Sequence, residues 1–317
     1  VTVQQQARRL ATFGPFIALL LACLFFAAQS PRFLTPENFS LITQQVMVVG
    51  VLAIGQTLVI LTAGIDLSCG MVMALGSMAM TLLASRAGFA PAMAVATGLG
   101  VTTLAGVVNG LLVTRIRLPP FIVTLGTMNI AFALTQIISK AQSVTDLPPL
   151  LTALGNTLRV GVTPVAYGAL LMVVLYTLAW WLLRETAGGR HVYAVGNNRE
   201  AARLSGINTE RVLLAVYALA GLCYGVAALL SVARTGVGDP QAGQTENLDT
   251  VTAVVLGGTS LFGGRGVITG SLIGALIVGV FRNGLTLMGV SSVYQILVTG
   301  VLVILAVATD QWSRRAS

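Results

Sequence analysis

Apolar windows of about 18 to 22 residues recur from one end of this 317-residue chain to the other. Such lengths match the roughly 20 helical residues that cross a hydrocarbon core. The windows fall near residues 11 to 28, 41 to 62, 67 to 85, 91 to 113, 120 to 139, 163 to 183, 212 to 233, 248 to 261, 267 to 288 and 292 to 309. The expected fold class is therefore all-α: a polytopic membrane protein of about ten transmembrane helices, forming one transmembrane domain over residues 1–317. Only 9% of the residues are charged, against roughly 25% in an average soluble domain, so a soluble globule is excluded. Arg8 and Arg9 precede a first apolar stretch that ends in AAQS, the arrangement of a cleaved signal peptide, but its length and the nine further windows favour a retained helix. The chain starts at Val1 and not at Met, so a trimmed beginning is expected.

Lys and Arg are retained on the cytoplasmic side of a membrane. With the N-terminus inside, twelve of the 18 basic residues fall in inner segments, among them Arg8, Arg9, Arg314 and Arg315. Both termini are thus expected in the cytoplasm, and the net charge of +8 is read as topology and contact with anionic lipid, with no nucleic-acid partner. Cys23, Cys69 and Cys223 show no C-x-x-C spacing, so no disulfide framework and no metal site are indicated.

Several chemistries are missing. A P-loop needs a Lys after its glycines to reach the terminal phosphates, and the single Lys140, in ISKAQ, has none before it. His191 is the one histidine, so no His cluster can form and an enzyme is not expected. Ion-coupled carriers betray themselves by ionisable residues buried in spans. Here nearly all the carboxylates lie in expected loops or at span ends, which favours a machine driven from outside the chain; an ion-coupled secondary carrier of a small polar solute is the alternative.

Asp66 breaks two apolar runs in LTAGIDLSCG, and Gly64, Leu67, Gly70 and Gly76 find an echo in Gly258, Leu261, Gly264 and Gly270 at one constant offset, as an internal duplication would produce. Gly64, Asp66, Gly70, Gly258 and Gly264 are the candidate helix-break and cap residues, with the Asp66 carboxylate capping a helix that begins at Leu67, in preference to binding substrate or a proton. Thr259 and Ser260 stand at the equivalent place in the second copy. Gly266, Gly270 and Gly274, Gly221 with Gly225, and Gly106 with Gly110 are spaced for close helix packing, within one subunit in preference to a dimer seam.

Residues 184–211, RETAGGRHVYAVGNNREAARLSGINTER, are the most polar internal segment. Asn197 or Asn198 can cap a short helix there, Glu200 sits in its first turn, and Gly206 can end it. Ala201, Ala202, Leu204 and Val195 would face a partner, while Arg199 and Arg203 line an adjoining face; a plain basic loop is equally compatible. Gln45, Asn109, Asn129, Gln136 and Asn283 are candidates for lining a polar path, with Asn129 and Gln136, seven residues apart on one helix face, foremost. Each could equally be an interhelical hydrogen bond. Arg282 either snorkels to the interface or faces the path.

GQTLVILTAGIDLSCG (55–70), LPPFIVTLGTM (118–128), GRHVYAVGNNREAARLSGIN (189–208) and the block from LDTVTAVVLGG to GVSSVYQ (248–295) together resemble the permease subunit of ribose-type monosaccharide ABC importers. Cys69 departs from the small aliphatic residue common there. The resemblance implies a permease that works as a pair, a homodimer or two close paralogues, in a bacterial inner membrane. It receives a sugar from a periplasmic binding protein and couples to cytoplasmic ATPase subunits that use ATP and Mg, with no cofactor in this chain. It further implies that 184–211 is the coupling loop, with Gly189, Arg190, Asn197, Arg199, Glu200, Ala201, Arg203 and Gly206 as its contacts to the ATPase.

Overall fold

The structure is a computed structural model describing residues 3–315; the side chains of 3–13, 306, 309, 310 and 312–315, among them Arg8, Arg9, Arg314 and Arg315, lie outside the description. In chain order the elements are α1 (Val3–Gln29), α2 (Pro36–Leu61), α3 (Cys69–Ser85), α4 (Pro91–Thr114), α5 (Pro120–Ser139), the single turn α6 (Pro149–Thr152), β1 (Thr157–Val160), β2 (Thr163–Ala166), α7 (Tyr167–Glu185), α8 (Ala187–Asn197), α9 (Arg199–Leu204), α10 (Thr209–Thr235), α11 (Glu246–Leu256), α12 (Ile268–Leu287) and α13 (Ser292–Arg315).

α2 is apolar all round and is the axis of the fold. Thr35 caps it by accepting from the Asn38 N–H at 3.3 Å, Pro36 opens it, and Glu37 lies in its first turn. A helix without a polar face must be covered on every side. α10, α11, α12 and α7 do so, and 89% of its apolar window is buried. Helices α4 and α5 are equally apolar but only 22% buried, presenting Leu104, Phe121, Ile122 and Ile130 outward. Such a surface suits lipid, and the chain is a multi-pass membrane protein.

Close packing falls where the glycines were spaced for it. Gly106 of α4 and Gly221 of α10 lie face to face, and a Cβ on either would strike a backbone carbonyl, of Tyr217 or Thr102 respectively. Gly270 and Gly274 of α12 meet the carbonyls of Gly257 and Ala253 in the same way. These seams lie within one chain.

Two features depart from an all-α bundle of ten full spans. Among the described residues, six helices are long and apolar enough to cross a membrane: α2, α4, α5, α7, α10 and α12, with shorter apolar stretches at Gly14–Gln29, Cys69–Ser85 and Ser292–Leu305. The expected span at 248–261 is the eleven-residue α11, about 16 Å at 1.5 Å per residue, half a hydrocarbon core. Residues 157–166 form an antiparallel hairpin in which Val160 pairs with Thr163 and Gly161, at φ +63, opens the two-residue turn. The window at 163 to 183 thus begins in a strand, where the alternating TPVA had been absorbed into the apolar run that follows.

Candidate translocation site

α11 begins deep inside the helical layer. Before it, residues 236–245 run alongside α3: Gly238 packs on Thr81, and Gly243 packs on Gly70. Those two positions on α3 are eleven residues apart, about 16 Å along its axis. The Pro240 carbonyl accepts from Gln136 Nε2 of α5 at 3.2 Å on the way down. At the bottom, Asn247 Oδ1 accepts the Gly70 N–H at 2.5 Å, and its Nδ2 lies 3.5 Å from the sulfur of Met128, near the middle of α5. Gly70 admits this approach because any side chain there would collide with the Gly243 carbonyl.

Residues 62–68 approach the same level from the other end. The Ile65 carbonyl accepts from Thr124 at 3.1 Å and Ser68 Oγ from Asn109 at 3.2 Å. Asp66 is fully buried; its Oδ1 accepts the Ser68 N–H at 2.8 Å and the Ser68 hydroxyl, and its Oδ2 accepts the Tyr224 hydroxyl at 3.1 Å. Two non-helical segments thus enter from opposite ends and meet at Gly70, Gly243 and Asn247. Non-helical backbone at membrane depth is tolerated only where protein buries it or a water-filled cavity accepts its polar groups.

Such cavities are present. Three, of about 230, 440 and 560 Å³, open around the first turn of α11 and share lining residues pairwise. Arg234 and Glu246 join the first to the third, Arg282 and Gln295 the first to the second, and Gln244 and Thr245 the second to the third. Arg282 Nη1 donates to Asp249 Oδ2 at 2.9 Å and its Nη2 to the Thr245 hydroxyl at 3.2 Å. Arg282 therefore bridges α12 to the break and does not snorkel alone.

At the far end from these cavities, α8 and α9 close over both glycine turns. Gly264 N–H donates to the Leu61 carbonyl at 3.0 Å, Gly196 abuts that same carbonyl, and Tyr193 donates to the Gly266 carbonyl at 2.9 Å. A cavity of about 850 Å³ lies beneath, reaching from Arg199 and Arg203 to Tyr217.

The family described as "Branched-chain amino acid transport system / permease component" matches residues 38–307. The chain belongs to this family. Relatives include the fructose import permease protein of Rhizobium meliloti, 46% identical over 96% of this chain and 86% of its own length. The ribose import permease protein of Bacillus subtilis is 41% identical over 94% and 92%, and the D-allose transport system permease protein of Escherichia coli 36% over 94% and 91%. No solved structure matches at a significant level.

Within this permease the path candidates do not converge. Gln45 lines the 230 Å³ cavity. Asn109 is buried between Ser68 and Thr127, Asn283 exchanges both amide hydrogen bonds with Asn38, Gln136 holds Pro240, and Asn129 lies exposed on α5, donating to the Leu125 carbonyl. The residues sequence reasoning left aside are Arg234, Glu246 and Asp249. They looked like loop or span-end charges because the short α11 was read as a continuous crossing.

The break residues also differ from expectation. α3 begins at Cys69, not Leu67, and Asp66 holds the turn ahead of it by bonding Ser68, while also tying it to α10. The two glycine copies touch each other but are not conformational copies: Gly258 and Gly264 have φ of +83 and +71, whereas in the first turn Ala63 carries the positive φ of 62. Gly64 instead accommodates the Tyr217 hydroxyl and the Val59 side chain.

In the 184–211 segment Asn198 caps α9 by accepting the Ala201 N–H at 2.9 Å, Glu200 pairs with Arg203 at 2.6 Å, and Gly206, at φ +86, follows the helix end. The Arg203 guanidinium holds the Glu200 carboxyl below its usual range. Arg190, Asn197, Arg199, Ala201 and Arg203 are exposed. Val195 and Ala202 are not: they pack with Leu213 on the permease's own α10, leaving Leu204 and Ala201 outward. Buried Gly189 is where α8 turns tightly against the end of α7, its Cα facing the Leu182 and Leu183 carbonyls.

Proposed function

We propose that this chain is the transmembrane subunit of an ATP-driven monosaccharide importer in a bacterial inner membrane. It forms the translocation path with a second permease copy, and both of its termini lie in the cytoplasm. A periplasmic binding protein delivers sugar to the end where the three cavities open, and ATPase subunits, which bind the ATP and Mg, dock at the other. Residues 184–211 act as the coupling loop of a single transmembrane domain. Gly189, Arg190, Asn197, Arg199, Glu200, Ala201, Arg203 and Gly206 form or shape its ATPase-facing side.

One observation carries the reading. Relatives named for fructose import, ribose import and D-allose transport align along more than nine-tenths of this chain. The mid-depth break lined by charged and amide groups is what a polar solute needs in order to cross. The ion-coupled alternative is less well supported, because Asp66, among the described residues the one carboxylate buried away from the cavities, is already engaged by three protein donors. A branched-chain amino acid is the second candidate substrate, on the strength of the family's description.

The test is reconstitution of the permease with its partner ATPase and binding protein, followed by uptake of labelled D-ribose, D-fructose, D-allose and L-leucine. Uptake of one of the sugars is expected; uptake of leucine alone would overturn the substrate class.

A further inference from the structure

Charges of both signs meet around the first turn of α11. Arg234 and Arg282 face Glu246 and Asp249, and the amides of Gln45, Gln244 and Gln295 complete the polar walls. Charged donors and acceptors set side by side, with amides among them, can serve the hydroxyls of a neutral polyol, each of which both donates and accepts. Guanidinium and carboxylate groups are planar and bidentate, a geometry that spans two adjacent hydroxyls.

The two ends of the ion pair are unequal. Asp249 is 7% exposed and fixed, whereas Arg282 is 39% exposed, so one side of its guanidinium is free toward the cavity. Gln45 stands nine residues into α2, about 13 Å along the axis. Its Oε1 is buried with no hydrogen-bond partner in the protein, and the residue lines the chamber. The 230 Å³ chamber equals about eight waters' worth of liquid at roughly 30 Å³ each, space for one monosaccharide.

We propose that this chamber is a sugar-binding station inside the membrane domain. Arg234, Glu246 and Arg282 take a vicinal diol, and Gln45 and Gln295 contact the remaining hydroxyls. The proposal rests on the monosaccharide-import reading and adds a site within the permease itself. On the side of Arg282 turned away from Asp249 and Thr245 a sugar hydroxyl replaces water as the acceptor, an exchange of little net gain, which permits release.

The test is saturation-transfer NMR on the full-length permease in nanodiscs, with D-ribose, D-fructose and L-leucine as separate probes. Wild type is expected to transfer saturation to sugar protons, weakened about fivefold by Q45L, the loss of one neutral hydrogen bond, and further by E246Q and R282Q. A Q45L melting temperature equal to wild type, measured on the same nanodiscs, makes its effect one of ligand contact and not of folding. Undiminished sugar signal in all three variants overturns the station. So does the absence of sugar signal in wild type when the reconstituted importer still takes up sugar, and in that case the importer reading stands. A leucine signal lost in the variants overturns the station's sugar class, and leucine-only uptake by the importer would overturn the reading beneath it.

Discussion

The backbone N–H of Gly264 donates to the Leu61 carbonyl at 3.0 Å, and Gly196 of α8 is pressed against the same oxygen. Three segments far apart in sequence, the end of α2, the turn after α11 and the end of α8, thus share one atom. A displacement of α8 must be felt by both glycine turns, each of which leads directly into a helix that lines the break.

Gly196→Ala places a methyl where the Leu61 carbonyl stands. Overpacking of this kind costs about 1–3 kcal/mol. The variant is expected to lower the melting temperature of the purified permease and to abolish stimulation of ATP hydrolysis by loaded binding protein. Gly188→Ala, whose added carbon would meet nothing closer than 3.5 Å, is expected to match wild type in both assays.

Replacing Arg199 and Gly206 together should uncouple hydrolysis from transport with the subunit still inserted. Arg199 is exposed beside the α9 cap, and Ala at a φ of +86 loosens the turn that ends the helix. Wild-type sugar uptake by Arg199→Ala/Gly206→Ala would remove the docking role from this segment.

Asp66 is expected to be structural. Asp66→Asn retains an acceptor for the Ser68 N–H and hydroxyl and should keep both stability and transport. Asp66→Ala leaves buried Ser68 and Tyr224 groups without their partner, at about 1–3 kcal/mol for each. Thermal unfolding followed by size-exclusion chromatography separates the two. A well-folded Asn variant that fails to transport would return Asp66 to a functional role.

Asn247→Ala should destabilise by about 1–3 kcal/mol through the orphaned Gly70 N–H, and Gly70→Ala should yield no folded protein, since it would meet a backbone carbonyl that cannot turn aside. Folded Gly70→Ala at wild-type yield would show that 236–245 does not enter the helical layer as described.

The outline of the fold was legible because an apolar window of twenty residues has few alternatives, and α9 was legible to within one residue of its cap, Asn197 or Asn198, because capping is local. The half-helix α11 was not. Its eleven residues run into LGGTSLFGG, which carries no charge yet bends through positive φ at Gly258, Gly263 and Gly264, so hydropathy reads straight across the turn. The charged cluster was hidden for the same reason: Glu246 and Asp249 look like surface charges until α11 is known to start at mid-depth. Gln136 and Asn283 were chosen for polarity inside a window, and each is held by one long-range partner, Pro240 and Asn38, that no local pattern reveals. Val195 and Ala202 had the periodicity of a docking face, but the same apolar spacing served packing on α10.

ATP hydrolysis by a partner, and no ion gradient, is proposed to drive a sugar through this permease. The most direct test is labelled sugar uptake by proteoliposomes of the assembled transporter, with internal ATP maintained and proton and sodium gradients collapsed by ionophores. Uptake should continue under those conditions and stop when vanadate blocks hydrolysis. Uptake that vanishes with the gradients and survives vanadate would contradict the account.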